Sequence, residues 1–388
     1  MKYKLTSNLL AKLCVQAAFL VTSWICSVDP NKVTFASIRS ANPEGNLLYL
    51  YRELKTRQWQ GKCVLLFRKY RGSALDKLSM LFYMIRAGHH LATSRYFVID
   101  DYYFPVYVIR ARKGTEIVQL WHAAGAFKKF GYSTVGKSFG PSQEYLKHVR
   151  IHSNYDKVFV SAAEVVPHYA DAFQMPEERI LPLGLPRTDI FFDKDKHAEI
   201  CVRFYQSFPK LKGRKLILYA PTFRGRSYQQ KRFECPINAR FMREILGRDY
   251  AFIVHLHPFM KTLDWKPGQY DEEFVCCVSD QFSIEELMIV SDILVTDYSS
   301  VIFDYSLLGR PMAFFATDLE EYMSERGFYY DYTSFIPGPM FTETEPLANW
   351  IKQGDFDATV IERFRDRFFD HRDGKASKRI ADYLLEHW

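Results

Sequence analysis

Residues 292–311 read DILVTDYSSVIFDYSLLGRP. An apolar run, a Thr-Asp-Tyr-Ser-Ser turn and a second apolar stretch describe a buried strand that passes through a tight turn into a helix. Units of this kind build parallel sheets, because parallel neighbours need a crossover and the helix supplies it. The number of repeats of the unit along the chain therefore decides the fold.

It repeats on both sides. KLILYAPT (215–222), YAFIVHLHP (250–258), EFVCCVS (273–279) and RPMAFF (310–315) read as further strands, with helices near 238–247, at 283–290 and from about 299. Upstream, KVTFAS (32–37), KCVLLF (62–67), RYFVI (95–99), EIVQLW (116–121), DKVFVSA (156–162) and RILPLG (179–184) alternate with other segments, of which 45–58 and 74–90 have helical spacing. The polar stretch 191–215, FFDKDKHAEICVRFYQSFPKLKGRK, separates the two series. At 388 residues the chain exceeds a typical single core. The expected organisation is an N-terminal helix over 1–28, a Rossmann-like domain over 29–190, a linker over 191–214 carrying a helix, and a second Rossmann-like domain over 215–388. The last helix belongs to the second domain or packs back on the first. Such domains facing across a cleft would bind ligands at the carboxyl ends of their strands.

Composition is that of a folded protein, 48% hydrophobic and 25% charged, with 16% aromatic residues. Seven cysteines, an odd number without a CxxC pair, fit reduced thiols in a cytosolic setting. Charge is uneven. Residues 1–150 hold 23 Lys and Arg against 8 Asp and Glu, or +15, so the remainder carries −8 of the net +7. A basic half points to an anionic partner: a phosphorylated substrate or an acidic membrane surface. No motif that reads nucleic acid accompanies it, so neither nucleic-acid binding nor a non-enzymatic scaffold is favoured.

The N-terminal stretch NLLAKLCVQAAFLVTSWICS (8–27) is interrupted by Lys12 and Gln16. It lacks a small-residue cleavage site and is poor as a membrane span, which needs about 20 mostly apolar residues. Leu9, Leu10, Leu13, Ala17, Phe19, Leu20 and Trp24 fall on one side of a helix, with Lys2, Lys4 and Lys12 near its start. The pattern predicts an amphipathic helix lying in a membrane interface or packed on the body.

Chemistry-bearing residues cluster at predicted strand ends. VQLWHAAGAFKKFG (118–131) delivers His122 to the end of an apolar strand, followed by a small-residue turn and by Lys128 and Lys129. Histidine suits a general base at neutral pH. In 292–311, Ser299 and Ser300 sit at a helix start, where free N–H groups favour phosphate and where hydroxyls also serve as simple caps. LYAPTFRG (218–225) places Thr222 and Arg224 at another strand exit, Arg being the natural fork for phosphate oxygens. VHLHP (254–258) puts His255 and His257 on one face of a strand. No third ligand of suitable spacing accompanies them, so phosphate contact is favoured over metal. In LGLPRTD (183–189), Arg187 and Asp189 follow a Gly-Leu-Pro turn and either aim into the cleft or brace the domain junction. The Asp193–Asp195 pair reads as solvated loop.

These blocks, in this order over about 116–315, resemble the CDP-glycerol glycerophosphotransferase family of teichoic acid biosynthesis in Gram-positive bacteria. The resemblance implies a GT-B-like fold. It also implies transfer of glycerol phosphate from CDP-glycerol to a lipid-linked (undecaprenyl-pyrophosphate) disaccharide of N-acetylmannosamine and N-acetylglucosamine, releasing CMP. Carried over by position, His122 matches the first essential histidine, the base, and His257 the second. Arg224, Thr296, Asp297, Ser299 and Ser300 match the donor's pyrophosphate and nucleotide site, to which the strand-end reading adds Thr222. Lys128 and Lys129 would attract the pyrophosphate-bearing acceptor or the donor, and with Arg187 and Asp189 are assigned to the acceptor side or the cleft. No metal or other cofactor is called for, and Mg2+ accompanying the nucleotide is compatible with the pattern. Further implied partners are the cytoplasmic membrane face, where the protein would sit peripherally, and other teichoic acid enzymes. The short chain suits a priming enzyme. Second-unit or polymerising transferases, ribitol phosphate transfer from CDP-ribitol, and a nucleotide-sugar glycosyltransferase are the alternatives. Ala123-Ala124-Gly125 stands where many relatives have Gly-Thr-Pro, and His255 where a basic Lys or Arg is frequent, which touches polyol choice more than reaction type.

Overall fold

The computed structural model describes residues 2–69, 74–137, 140–222, 224–226, 229–230, 233–256, 263–264, 268–278 and 281–386. Two parallel six-stranded sheets organise it. The first contains β1 (Asp29–Ser37), β2 (Lys62–Phe67), β3 (Ser94–Ile99), β4 (Glu116–Gln119), β5 (Lys157–Phe159) and β6 (Ile180–Leu181), in the order β2-β1-β3-β4-β5-β6. The second contains β7 (Lys215–Ala220), β8 (Tyr250–Val254), β9 (Val275–Cys277), β10 (Ile293–Thr296), β11 (Met312–Phe315) and β12 (Met340–Phe341), in the order β9-β8-β7-β10-β11-β12. Both orders reverse direction once, between β1 and β3 and between β7 and β10, and such switch points open a crevice at the strands' carboxyl ends. Near-continuous Val, Ile, Leu and Phe runs form these strands because helices cover both faces of a parallel sheet.

The chain divides into two compact units. One comprises residues 1–125, 129–189 and 369–388, the other residues 126–128 and 190–368. The core of the first unit joins Phe35, Tyr96, Val98 and Val118 of its sheet to Leu47 and Leu50 of helix Gly45–Thr56. It also takes in Ile380, Ala381 and Leu384 of the last helix, Ala376–Glu386. That helix starts on Asp189, whose carboxylate accepts the Ala376 and Ser377 N–H groups at 2.8 and 2.9 Å. The 191–214 stretch, expected as a linker, is built into the second unit. Asp193 caps helix Lys194–Ser207 by accepting the Lys196 N–H, and the fully buried Phe204 of that helix packs on Phe208 and Phe282. Asp193 is thus a cap rather than solvated loop, and the polar composition reflects the outer face of an amphipathic helix.

The N-terminal helix spans Lys2–Ile25 and packs against helix Ala74–Thr93. Val15 and Phe19 are buried there, and a Cβ on Gly88 would lie 2.8 Å from the Val15 carbonyl, so the glycine permits the close approach. Phe19 therefore faces inward, apart from the exposed Leu10, Leu13, Leu20 and Trp24 with which the sequence pattern grouped it. Among the described residues no helix is long and apolar enough to cross a membrane.

Candidate active site

His122 lies two residues beyond Leu120, just past β4, on a backbone that its neighbours hold under strain. Trp121 adopts a positive φ of 53°, which a bulky residue rarely accepts without support. Three bonds provide that support. The Trp121 N–H donates to Gln119 Oε1 at 2.8 Å, and its carbonyl accepts Asn46 Nδ2 at 2.7 Å. Asn46 Oδ1 in turn accepts the Arg187 N–H at 3.0 Å. Gln119 Nε2 donates to the Asp101 carbonyl, which ties the ends of β3 and β4 together. The indole packs among Tyr102, Phe130 and Phe173, and the His122 ring lies over it at 4.5 Å.

The nearest polar partner of His122 is Asp101, with Nδ1 3.4 Å from Oδ1. No better-aligned bond reaches Nδ1 among the described residues. Burial alone would raise the Asp101 carboxyl, but His122, Arg39 and the Tyr102 N–H lower it below its ordinary value, so it stays ionised. A carboxylate at Nδ1 favours the tautomer that leaves Nε2 with its lone pair. The His122 side chain is 35% exposed, open enough to meet a substrate. Asp100 differs sharply from its neighbour: burial, with the Asp101 charge second, pushes it up to about 7. Sequence reasoning passed over Asp101. The available signal was an Asp-Asp pair directly after the apolar run YFVI, at the switch point of the first sheet.

The second unit gathers Thr222, Arg224 and Asp297 at the switch point between β7 and β10. Asp297 Oδ1 accepts the N–H groups of Thr222 and Tyr298 at 2.8 and 2.6 Å, and Oδ2 accepts Arg224 Nη2 at 2.9 Å. Arg224 also donates through Nε and Nη2 to Asp318 at 2.7 and 3.0 Å and through Nη1 to the Thr222 carbonyl at 2.6 Å. Tyr298 and Tyr322 stack at 4.0 Å, with the guanidinium about equally far from both rings, 5.0 and 5.1 Å. Arg224 is thus neutralised by two carboxylates, and its first task is to knit the strand exits together. Asp318 and Tyr298 complete this knot; Tyr298 lies in the Thr-Asp-Tyr-Ser-Ser turn, whereas Asp318 carries no motif that would have flagged it.

Other expected site residues fall out differently. Thr296 is fully buried and donates its hydroxyl to the Ala220 carbonyl at 2.7 Å, a tether between strands. Asp189 is spent on capping the last helix. Ser299 Oγ accepts the Val301 N–H at 3.4 Å, whereas Ser300, at the start of the short helix Val301–Ser306, makes no side-chain cap bond. Burial lowers His255. His257 lies outside the described residues. Lys129 counts with the first unit, but Lys128 counts with the second, where its backbone bridges Phe328.

Strands ending in a histidine–carboxylate pair, and a second sheet ending in an arginine–carboxylate knot beside serine hydroxyls, are the equipment of a group-transfer enzyme. The model of the CDP-glycerol:poly(glycerophosphate) glycerophosphotransferase family matches residues 18–386, and the chain belongs to that family. It is 44% identical to a teichoic acid ribitol-phosphate primase of Bacillus spizizenii, over 95% of this chain and 94% of that one. It is 30% identical to the teichoic acid glycerol-phosphate primase of Bacillus subtilis, over 78% and 76%. The structure of the wall teichoic acid polymerase TagF superposes with a TM-score of 0.75 at 26% identity, covering 98% of this chain and 93% of that chain. The protein is accordingly a transferase of teichoic acid biosynthesis, in the class of the polyol-phosphate primases and polymerases.

Proposed function

We propose that this enzyme is a primase that transfers one ribitol phosphate from CDP-ribitol to a lipid-linked saccharide acceptor. The observation that carries the reading is the end-to-end match, 95% of one chain on 94% of the other, with a ribitol-phosphate primase. The sequence pattern alone suggested CDP-glycerol; the 44% match supports ribitol over the 30% match to a glycerol-phosphate primase.

In this reading an acceptor hydroxyl attacks the phosphorus that bears the polyol. His122 Nε2 takes the hydroxyl proton, Asp101 steadies the imidazolium that forms, and the bond from phosphorus to the bridging oxygen breaks so that CMP leaves. A positioned base of this kind contributes about 10²–10⁴ in rate. Phosphoryl transfer otherwise rests on positioning and on cations that offset charge on the phosphoryl oxygens. The Arg224 knot holds the strand exits of the β7–β10 switch point in one geometry, and Ser299 and Ser300 at that exit support a donor diphosphate there. The exposed Leu10, Leu13, Leu20 and Trp24, with Phe82 and Ile85 of the neighbouring helix, support peripheral attachment to a membrane surface that the basic half also favours.

The test is the mass of the lipid product after incubation with a lipid-pyrophosphate disaccharide and either CDP-ribitol or CDP-glycerol. A gain of one ribitol phosphate is expected. A ladder would make the enzyme a polymerase, gain from CDP-glycerol alone would restore the glycerol reading, and no gain from either would overturn the reaction.

A further inference from the structure

Three cations surround one aromatic ring in the second unit. Lys128 Nζ lies 6.0 Å from the centre of Tyr322, Arg224 Cζ 5.1 Å and Arg326 Cζ 5.7 Å. They are not equivalent. Arg224 is claimed by Asp297 and Asp318. Arg326 has Glu325 of its own helix, Leu319–Arg326, as an offsetting charge. Lys128 has no hydrogen bond or ion pair among the described residues, and the carboxylate that acts on it, Asp297, is already bonded to Arg224. Two hydroxyls beside the cluster are also unspent. Thr222 Oγ1 and Tyr322 Oη are buried, at 5% and 2% residue exposure, without a hydrogen-bond partner among the described residues. A buried donor left unmade costs about 1–3 kcal/mol. Two such groups beside a cation without its own counter-ion make a place completed by an anion rich in acceptor oxygens.

We propose that Lys128, with Tyr322 and Thr222, binds the diphosphate of the CDP-polyol donor, so that the lysine beside the histidine loop serves the donor rather than the acceptor. This rests on the reading of the chain as a CDP-polyol transferase. It also divides the work between the two cations: Arg224 braces the site and Lys128 meets the ligand. A compact ammonium on a flexible stem suits that task, since it can follow the phosphate as the reaction proceeds.

A proton accompanies the ligand. Burial first, then Arg326 and Arg224 against the opposing pull of Asp297, holds the Lys128 ammonium down to about 7. Tyr322, the other titratable group on that ring, is raised and stays neutral. Below pH 7 the lysine is already charged and binding needs no proton. Above it, the diphosphate stabilises the charged form, so binding draws a proton from solvent and affinity falls as pH rises.

Calorimetric titration of the full-length protein at pH 8.5, in two buffers of different ionisation enthalpy, tests this with CDP-ribitol, CDP-glycerol and inorganic pyrophosphate as probes. The wild type should take up close to one proton per bound diphosphate. Lys128→Gln should weaken pyrophosphate and the CDP-polyol 10-fold or more. Lys128→Arg should keep most of the affinity and lose the proton uptake, which a merely structural role would not do. Wild-type affinity in Lys128→Gln, or uptake that persists in Lys128→Arg, overturns the proposal. Absence of proton uptake by the wild type overturns it without any variant. If neither CDP-polyol binds but pyrophosphate does, in a Lys128-dependent way, the transferase reading fails and the anion site stands.

Discussion

Among the described residues His122 has one polar partner, Asp101 at 3.4 Å, and a third of its side chain in solvent, whereas Arg224 is gripped by two carboxylates, a carbonyl and two rings. Both sit at the carboxyl ends of parallel strands, and the sequence offers both as chemistry. Under the proposed reaction the difference follows from what each must do. A group that accepts a proton and returns it has to remain reachable and only lightly held, with its partner fixing tautomer and direction. A guanidinium neutralised by Asp297 and Asp318 has little charge left for a ligand, but it holds the loops after β7 and β10 in one geometry. Reacting side chains and bracing side chains can therefore be told apart by how many of their bonds are already made.

Breaking that comparison starts with its loosest member. His122→Ala should lower kcat by about 10²–10⁴ while leaving the melting temperature and donor binding near wild type. Near-normal turnover would remove His122 from the chemistry. Asp297→Asn should act chiefly on folding instead. Removing one partner of a buried ion pair costs about 3–5 kcal/mol, read as a fall in the denaturation midpoint. Unchanged stability would show that the knot does not brace the second sheet. Asp101→Asn sharpens the first half of the contrast. It should cost about 10² in kcat, the lower end of the general-base range, with donor KM little changed. A loss confined to KM would make Asp101 a binding group. Thr296→Val should be mildest, costing about 1–3 kcal/mol for the unmet Ala220 carbonyl. Donor affinity should not move, and a 10-fold weaker Kd for a CDP-polyol would return Thr296 to the ligand site.

Much of the fold was legible because parallel strands are buried on both faces and announce themselves as apolar runs. The predicted 62–67, 95–99, 215–222 and 292–297 strands fall on β2, β3, β7 and β10 within two residues at either end. Short or late elements were harder. β12 holds only two residues, Met340 and Phe341, and Leu319–Arg326 shows too little apolar patterning to stand out. In the site, the His122, Thr222, Arg224 and Asp297 positions were legible as strand-end motifs. Asp101 was not, because it becomes a partner only when β3 and β4 lie side by side and Gln119 ties their ends. Nor was the tether made by Thr296, because the carbonyl that takes its hydroxyl lies 76 residues away in sequence.

The amino-acid sequence by itself determined the two βα series, the uneven charge and the blocks that mark the family, since each depends on local pattern and residue type. Tertiary structure alone decided which partners satisfy those residues. It brought the last helix onto the first core through Asp189, returned 126–128 to the second unit, and left Lys128 as a cation without a counter-ion of its own among the described residues. Pairing depends on distance between atoms far apart in the chain, and only packing sets that distance.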